Sequence, residues 1–286
     1  MLQNHATLRE LGLFLHRELR KVYSEGETSS MIPMIMEYIG FPKTIYLAEP
    51  HLRPGHNAMS QIKEIVAEIH TQRPIQYILG YTIFCDLNIR VDENVLIPRP
   101  ETEEMVYRII ERMAEPPARI LDLGTGSGCI ALALKKAFPG ASVTGLELSG
   151  PALDLARRNG LHNGIEVEWI EGDLLDPGIQ DQLGVFDLVV SNPPYVLSEE
   201  KEQMGRNVLA YEPHAALFVE DWDPFRYYRA IADLAARNLS FGGVLWVEIN
   251  ERFGVETARL LNEAGFSRTM IIKDIHEKER FIEARK

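Results

Sequence analysis

Arg119-Ile120-Leu121-Asp122-Leu123-Gly124-Thr125-Gly126-Ser127-Gly128 is the stretch on which the fold turns. Its first half is an apolar strand. Its second half is a glycine-rich turn that opens a helix over 127–137. Glycines at such a junction let the chain turn tightly and let a ligand approach the backbone. Moving outward, further apolar strands are expected at 142–146, 166–171, 186–190 and 244–248. Helices fit 151–159, 224–239 and 254–264, and late strands fit 266–273 and 279–285. This alternation predicts an α/β domain, doubly wound, with a seven-stranded, mostly parallel sheet covered on both faces. A ligand is expected in the crevice at the C-terminal strand ends.

Upstream of that domain the period changes. Leu8, Leu11, Leu15, Leu19 and Val22 mark one helix face. A second helix is expected over 30–39, capped by Ser29 or Ser30 and stopped by Gly40. A third opens at Asn57 or Ser60, buries Ile62, Ile65, Val66 and Ile69, and ends at Arg73-Pro74. Residues 81–97 read as a hairpin turning at Asp92-Glu93-Asn94. A helix over 101–114 follows, bounded by Pro100 and by Pro116-Pro117. The expected organisation is a helical domain over 1–80, a β-hairpin linker over 81–100 and an α/β domain over 101–286. The helical domain is expected to hold a large substrate.

Composition narrows the class. The chain has 286 residues, 45% of them hydrophobic, and a formal net charge of −12. A protein that grips a duplex usually carries a basic footprint, so direct nucleic-acid binding is not expected. No apolar run reaches membrane-spanning length and the N-terminus resembles no leader peptide. Cys85 and Cys129 make neither a metal spacing nor a disulfide framework, and reduced thiols are expected. No metal site is expected, because His51, His56, His70, His162, His214 and His276 show no ligand spacing.

Two acids sharpen the reading of the glycine loop, which dinucleotide-binding proteins share. Asp122 stands inside the turn, where a carboxylate suits a cationic or ammonium-bearing ligand and repels a pyrophosphate. Glu147 ends the next strand, where an acid can accept both ribose hydroxyls of an adenosine. Asp173 follows the third strand and could accept from an adenine amine, with Leu174 covering the ring. Asp122, Gly124, Thr125, Gly126, Ser127, Gly128, Glu147, Asp173 and Leu174 are thus the candidate cofactor-binding residues. An ordinary turn at 171–174 and a plain surface acid at Glu147 are the alternatives.

The strand over 186–190 runs into Ser191-Asn192-Pro193-Pro194-Tyr195. Two prolines remove two backbone donors and fix two φ angles, leaving carbonyls free to accept. The Asn192 side-chain oxygen can take one N–H of a planar amino group and the Pro193 carbonyl the other. Tyr195 offers a flat surface to clamp that group. A delocalised nitrogen needs alignment more than a base, and acceptors that favour positive charge on it add electrostatic stabilisation.

Here the chain resembles the amino-methyltransferases, whose signature is Asn-Pro-Pro-Tyr after the fourth strand of a Rossmann-like domain. Base-modifying and glutamine-modifying enzymes share that signature. Arg73-Pro74-Ile75-Gln76-Tyr77-Ile78-Leu79-Gly80, Leu96-Ile97-Pro98-Arg99-Pro100-Glu101-Thr102-Glu103 and Tyr211-Glu212-Pro213 with Ala216-Leu217 are similar to the release-factor glutamine methyltransferase family. The resemblance covers most of the chain. It implies S-adenosyl-L-methionine as cofactor, S-adenosyl-L-homocysteine as product, and methylation of the glutamine in the Gly-Gly-Gln loop of peptide-chain release factors. It implies catalytic roles for Asn192, Pro193 and Tyr195, with Asn192 also beside the cofactor. Substrate contacts are expected from Asn192, Pro193, Pro194 and Tyr195, and from Arg99 and Glu101 on the connection between domains. A cytoplasmic monomer with a protein partner is expected. Glu147 stands where the family commonly has Asp, and Glu248-Ile249-Asn250 departs from its Glu-x-Gly pattern, so no site role is expected of Asn250. A nucleic-acid adenine or cytosine amino-methyltransferase and another protein-glutamine methyltransferase are the alternatives within the same signature. A dinucleotide-binding protein is the alternative outside it.

Overall fold

The structure, a computed structural model, describes residues 6–286. The chain begins with α1 (Leu8–Leu19), α2 (Glu25–Tyr38), α3 (Lys43–Ala48), α4 (His56–His70) and α5 (Ile75–Leu79). The hairpin β1 (Tyr81–Phe84) and β2 (Leu87–Arg90) follows, then α6 (Pro100–Arg112), β3 (Arg119–Leu123), α7 (Cys129–Ala137), β4 (Ser142–Glu147), α8 (Gly150–Asn163), β5 (Glu168–Glu171) and β6 (Phe186–Ser191). The remainder is α9 (Arg206–Tyr211), α10 (His214–Leu217), α11 (Arg226–Asn238), β7 (Leu239–Glu248), α12 (Gly254–Glu263), β8 (Arg268–Lys273) and β9 (Glu279–Arg285). These elements form two compact units. One holds the described residues up to Gly80 together with Gly205–Tyr211. The other holds Tyr81–Met204 and Glu212–Lys286.

In the helical unit, Leu8, Leu11, Leu15 and Leu19 are fully buried, as their spacing predicts. They face α2 and α4, whose Ile35, Met36, Ile62 and Ile69 are equally inaccessible. The second helix starts five residues earlier than its sequence suggested. Ser24 and Glu27 form a reciprocal capping box at its N-terminus, which satisfies two helix-end donors, and the helix runs on through Pro33. The short helices α3, α5, α9 and α10 were not anticipated; single turns carry too little periodicity to read.

In the larger unit the strand order is β5-β4-β3-β6-β7-β9-β8. All pairs are parallel except those of β9, which runs antiparallel to β7 and β8. The seven-stranded, doubly wound α/β class is as expected. The chain steps outward from β3 to β4 and β5, then returns to place β6 on the other side of β3. That reversal opens a crevice at the C-terminal ends of β3 and β6, the usual ligand position in such sheets. Leu123 and Ser191 are paired there, so the glycine loop and Asn192 leave the sheet side by side.

The hairpin corrects one expectation. Its turn is Cys85-Asp86, with φ of 48° and 56°, and not Asp92-Glu93-Asn94. Two consecutive left-handed residues make the tight loop that matches strand twist. Residues 92–94 form a separate turn in which Asp92 Oδ1 accepts from Asn94 N at 3.0 Å. Both cysteines are free and buried.

Candidate active site

A cavity of about 390 Å³ lies at the C-terminal ends of β3, β4 and β6. Its walls come from 123–127, 146–149, 172–175 and 191–194, with Leu96, Pro98, Arg99 and Thr102 on one flank and Pro213, Ala216, Arg226 and Tyr227 on another.

The first wall is backbone. Gly124, Gly126 and Gly128 take φ of 72°, 55° and 81°, a region open to glycine and costly for most side chains. Gly124 N and Thr125 N both donate to Leu146 O at 2.9 Å, and Gly128 N donates to Thr125 O at 2.8 Å. A Cβ on Gly128 would come within 2.8 Å of the Trp169 ring and 3.1 Å of Ala156 Cβ. Gly128 therefore sits behind the wall as the close-packed joint between loop and helix. Gly124 has open space where a Cβ would stand.

Asp122 is placed behind that wall and not in it. Its side chain is fully buried. Oδ2 accepts from Thr125 Oγ1 and from Ala131 N at 3.2 Å, tying the loop to the first turn of α7, while Oδ1 has no hydrogen-bond partner among the described residues. Burial pushes its pKa up to about 7 against the opposing effect of those two bonds. The residue read from sequence as a counter-charge for a ligand is thus a post under the glycine turn.

Glu147 lies in the wall. Oε2 accepts from Gly126 N and Oε1 from Ser149 N, both at 2.9 Å. An ionised carboxylate has about four acceptor sites, so capacity remains for two hydroxyls. Asp173 and Leu174 line the next wall, with Asp173 Oδ1 accepting from Leu175 N at 2.8 Å. Between them these walls present the Glu147 and Asp173 carboxylates, several leucine side chains and an open glycine backbone.

A further wall is Asn192, Pro193 and Pro194. Ser191 Oγ donates to Leu123 O at 2.8 Å, binding the last residue of β6 to that of β3. Asn192 Nδ2 donates to Thr102 Oγ1 at 2.9 Å. Thr102 Oγ1 donates in turn to Glu248 Oε2 at 2.7 Å, and Tyr195 OH donates to Glu248 Oε1 at 2.9 Å. Burial raises the Glu248 carboxyl above its ordinary value, opposed by the Thr102 and Tyr195 bonds and by the charge of Arg280. Tyr195 does not line the cavity. Its ring packs against the sheet's core and its hydroxyl serves Glu248, so the expected flat clamp on a substrate is replaced by an anchor inside the domain. Asn250, dismissed on sequence, donates to Tyr195 O at 3.2 Å and to Glu200 Oε2 at 2.9 Å, and so holds the segment after Tyr195 to the end of β7.

Arg99 reaches the wall, where Nη2 donates to Glu212 Oε1 at 2.8 Å. Glu212 is buried, and its Oε2 accepts from Ile97 N at 3.1 Å. Glu101, expected beside the substrate, is not among the lining residues. The acidic stretch after Leu197 is a short 3-10 helix, Ser198–Gln203. Sequence reasoning missed Thr102, Glu248, Arg226 and Tyr227. Thr102 lay inside a quoted motif, but nothing local reports that its hydroxyl meets a residue 90 positions away. Among the described residues no three His, Cys, Asp or Glu side chains converge in a way that could hold a metal ion.

The comparisons bear on the same elements. Residues 107–215 match the Methyltransferase small domain family. The Release factor glutamine methyltransferase of Flavobacterium psychrophilum is 43% identical over 92% of this chain and 94% of its own length. That of Bacteroides thetaiotaomicron is 43% identical over 97% of this chain and 99% of its own. Among solved structures, a Pyrococcus furiosus methyltransferase matches with a TM-score of 0.51 at 18% identity, over 80% of this chain and 98% of that one. A T. thermophilus 16S rRNA methyltransferase in complex with AdoMet and guanosine matches with a TM-score of 0.50 at 19% identity, over 72% of this chain and 49% of that one. These two likenesses carry the fold alone. Identity of 43% to these two curated relatives over nearly the full length of both chains shows that the chain belongs to the release factor glutamine methyltransferase family.

Proposed function

We propose that the chain transfers a methyl group from S-adenosyl-L-methionine to the side-chain amide nitrogen (N5) of the glutamine in the Gly-Gly-Gln loop of peptide-chain release factors. The observation that carries the reading is the tethered carboxamide of Asn192. Its nitrogen is engaged by Thr102, so its oxygen is the end left to accept from a planar amino group, beside the donor-free Pro193-Pro194 backbone.

When bound, the cofactor supplies an electrophilic methyl group on a sulfonium. Glu147 would take the ribose hydroxyls, Asp173 the adenine amine and Leu174 its face, with the backbone of Gly124, Thr125, Gly126 and Ser127 against the remainder. Asn192 Oδ1 and the Pro193 carbonyl would each accept one N–H of the substrate amide, and Pro194 would shape the pocket. Both acceptors gain strength as the nitrogen loses its delocalised pair, which favours the transition state over the bound substrate. No protein base is required, because the alkylated amide is strongly acidic. The small side chains of Ala216 and Pro213 on the far flank suit a glycine-flanked side chain. In this reading the helical unit recognises the rest of a protein substrate, the enzyme acts as a cytoplasmic monomer, and no nucleic acid is bound directly. A net charge of −12 accords with a protein substrate better than with a nucleic acid.

The test is mass spectrometry of a release factor after incubation with the protein and S-adenosyl-L-methionine. A single added methyl group on the loop glutamine is expected, and none on a variant factor with that glutamine replaced. Labelling that persists in the variant factor, or that moves to added RNA or DNA, overturns the proposal.

A further inference from the structure

We propose that Thr102 and Glu248 are positioning residues that set which end of the Asn192 carboxamide faces the cavity. The inference rests on the reaction proposed above. It concerns a problem that reaction leaves open: an asparagine amide is nearly symmetric in shape, yet only its oxygen can accept from a substrate –NH₂. Turned by 180°, the same side chain would present a donor to a donor.

The hydrogen-bond chain resolves the ambiguity by polarity. Glu248 is fully buried at the end of β7, and two hydroxyls converge on its two oxygens, Thr102 at 2.7 Å and Tyr195 at 2.9 Å. Each hydroxyl donates to one oxygen of the carboxyl group. Thr102 has one proton and has given it to Glu248. Its oxygen can then only accept, and the group that donates to it at 2.9 Å must be the Asn192 nitrogen. Asn192 Oδ1 accepts no hydrogen bond among the described residues and is the end left for the cavity. Thr102 is itself almost inaccessible, on the first turn of α6, yet lines the cavity beside Asn192. Tyr195, on the same loop as Asn192, closes the far side of the carboxylate. An unpaired buried carboxylate is costly, so the fold keeps both hydroxyls in place.

The test measures methyl transfer to a release factor, cofactor affinity by calorimetry and melting temperature on the full-length protein. Thr102→Ser keeps the hydroxyl and should hold kcat within roughly threefold of wild type, while Thr102→Val should lower kcat by roughly tenfold to a hundredfold, the scale of a misaligned reacting group. Cofactor affinity should stay within about twofold in both, because the cofactor walls are untouched. Adding Thr102→Val to Asn192→Ala should cost nothing further, since the two act through one group. If the valine variant does not fold, Thr102→Cys fills the same space with a weak donor and acceptor and should show the same loss. A valine or cysteine variant with wild-type kcat, or a full additive loss in the double variant, overturns the positioning role alone. Wild-type protein that transfers no methyl group to the glutamine overturns the role and the proposed function together.

Discussion

The glycine-loop wall and the Asn192 wall line one cavity and are held by different means. At the glycine loop the fixing bonds span short stretches of chain: Thr125 to Asp122 over three residues, Ala131 to Asp122 over nine, Gly126 to Glu147 over 21. Most involve backbone groups. At Asn192 the bonds run between side chains across the sequence: 90 residues to Thr102, 146 from Thr102 to Glu248, 53 from Tyr195 to Glu248. A wall built of backbone defines where a ligand lies and tolerates change in most neighbouring side chains. A wall built of side chains defines polarity at one atom, and one substitution can erase it. Substitutions on the first wall should therefore move binding, and those on the second turnover.

The largest break in that contrast is Asn192→Ala. Its kcat should drop by roughly 10²-fold or more, as for the loss of a transition-state hydrogen-bonding group, while calorimetry shows cofactor affinity little changed. Turnover near wild type would remove the Asn192 mechanism even if the reaction stands. Glu147→Ala inverts the pattern. It removes an acceptor from the glycine-loop wall and frees Gly126 N, so cofactor binding should weaken by about tenfold or more, at ~1.5 kcal/mol for a charged hydrogen bond. Saturating cofactor should restore most of kcat; failure to do so would make Glu147 part of the second wall.

Arg99, which lines the same cavity, pairs with the buried Glu212. Glu212→Ala should cost about 2 kcal/mol of stability, from a buried Ile97 N–H left unsatisfied and a guanidinium without its partner. The midpoint of a urea titration reads that loss, and an unchanged midpoint would show that water takes over both bonds. At Asp122 the expected effect is a pH dependence. Its pKa is raised from 3.8 to about 7 in the folded protein. Between those values the native state binds more protons than the unfolded chain, so the group's contribution to stability falls as pH rises through that window. Asp122→Asn keeps an acceptor for Thr125 and Ala131 without ionising. The melting temperature of the variant relative to wild type should climb from pH 4 to pH 7, and a flat difference would show that Asp122 stays charged throughout.

Much of the glycine-loop wall was legible in the sequence. Glycine at 124, 126 and 128 and acids at 147 and 173 follow strands at positions that a doubly wound sheet brings to one edge, and local spacing carries that information. The misreadings share one cause. Asp122 was assigned to a ligand because the turn places it near the cavity, but depth below a surface is not encoded in spacing. Tyr195 was assigned to the substrate because of its neighbours in the chain, yet its ring packs into the sheet's core and its hydroxyl finds a carboxylate from another strand. The hairpin turn was set at 92–94 because those residues are polar, whereas Cys85-Asp86 is decided by the strand twist on either side.

The alternation of strands and helices, the glycine turn and the acceptor-rich Asn-Pro-Pro-Tyr segment were determined by the sequence alone, because backbone preference and hydrophobic period act over a few residues. Which side chain orients Asn192, and which acid is a post rather than a ligand, was decided only by tertiary structure. A polar group that is buried must find its partner among whatever the fold brings within hydrogen-bond reach. For Asn192 and Tyr195 those partners came from a helix and a strand far away in the chain.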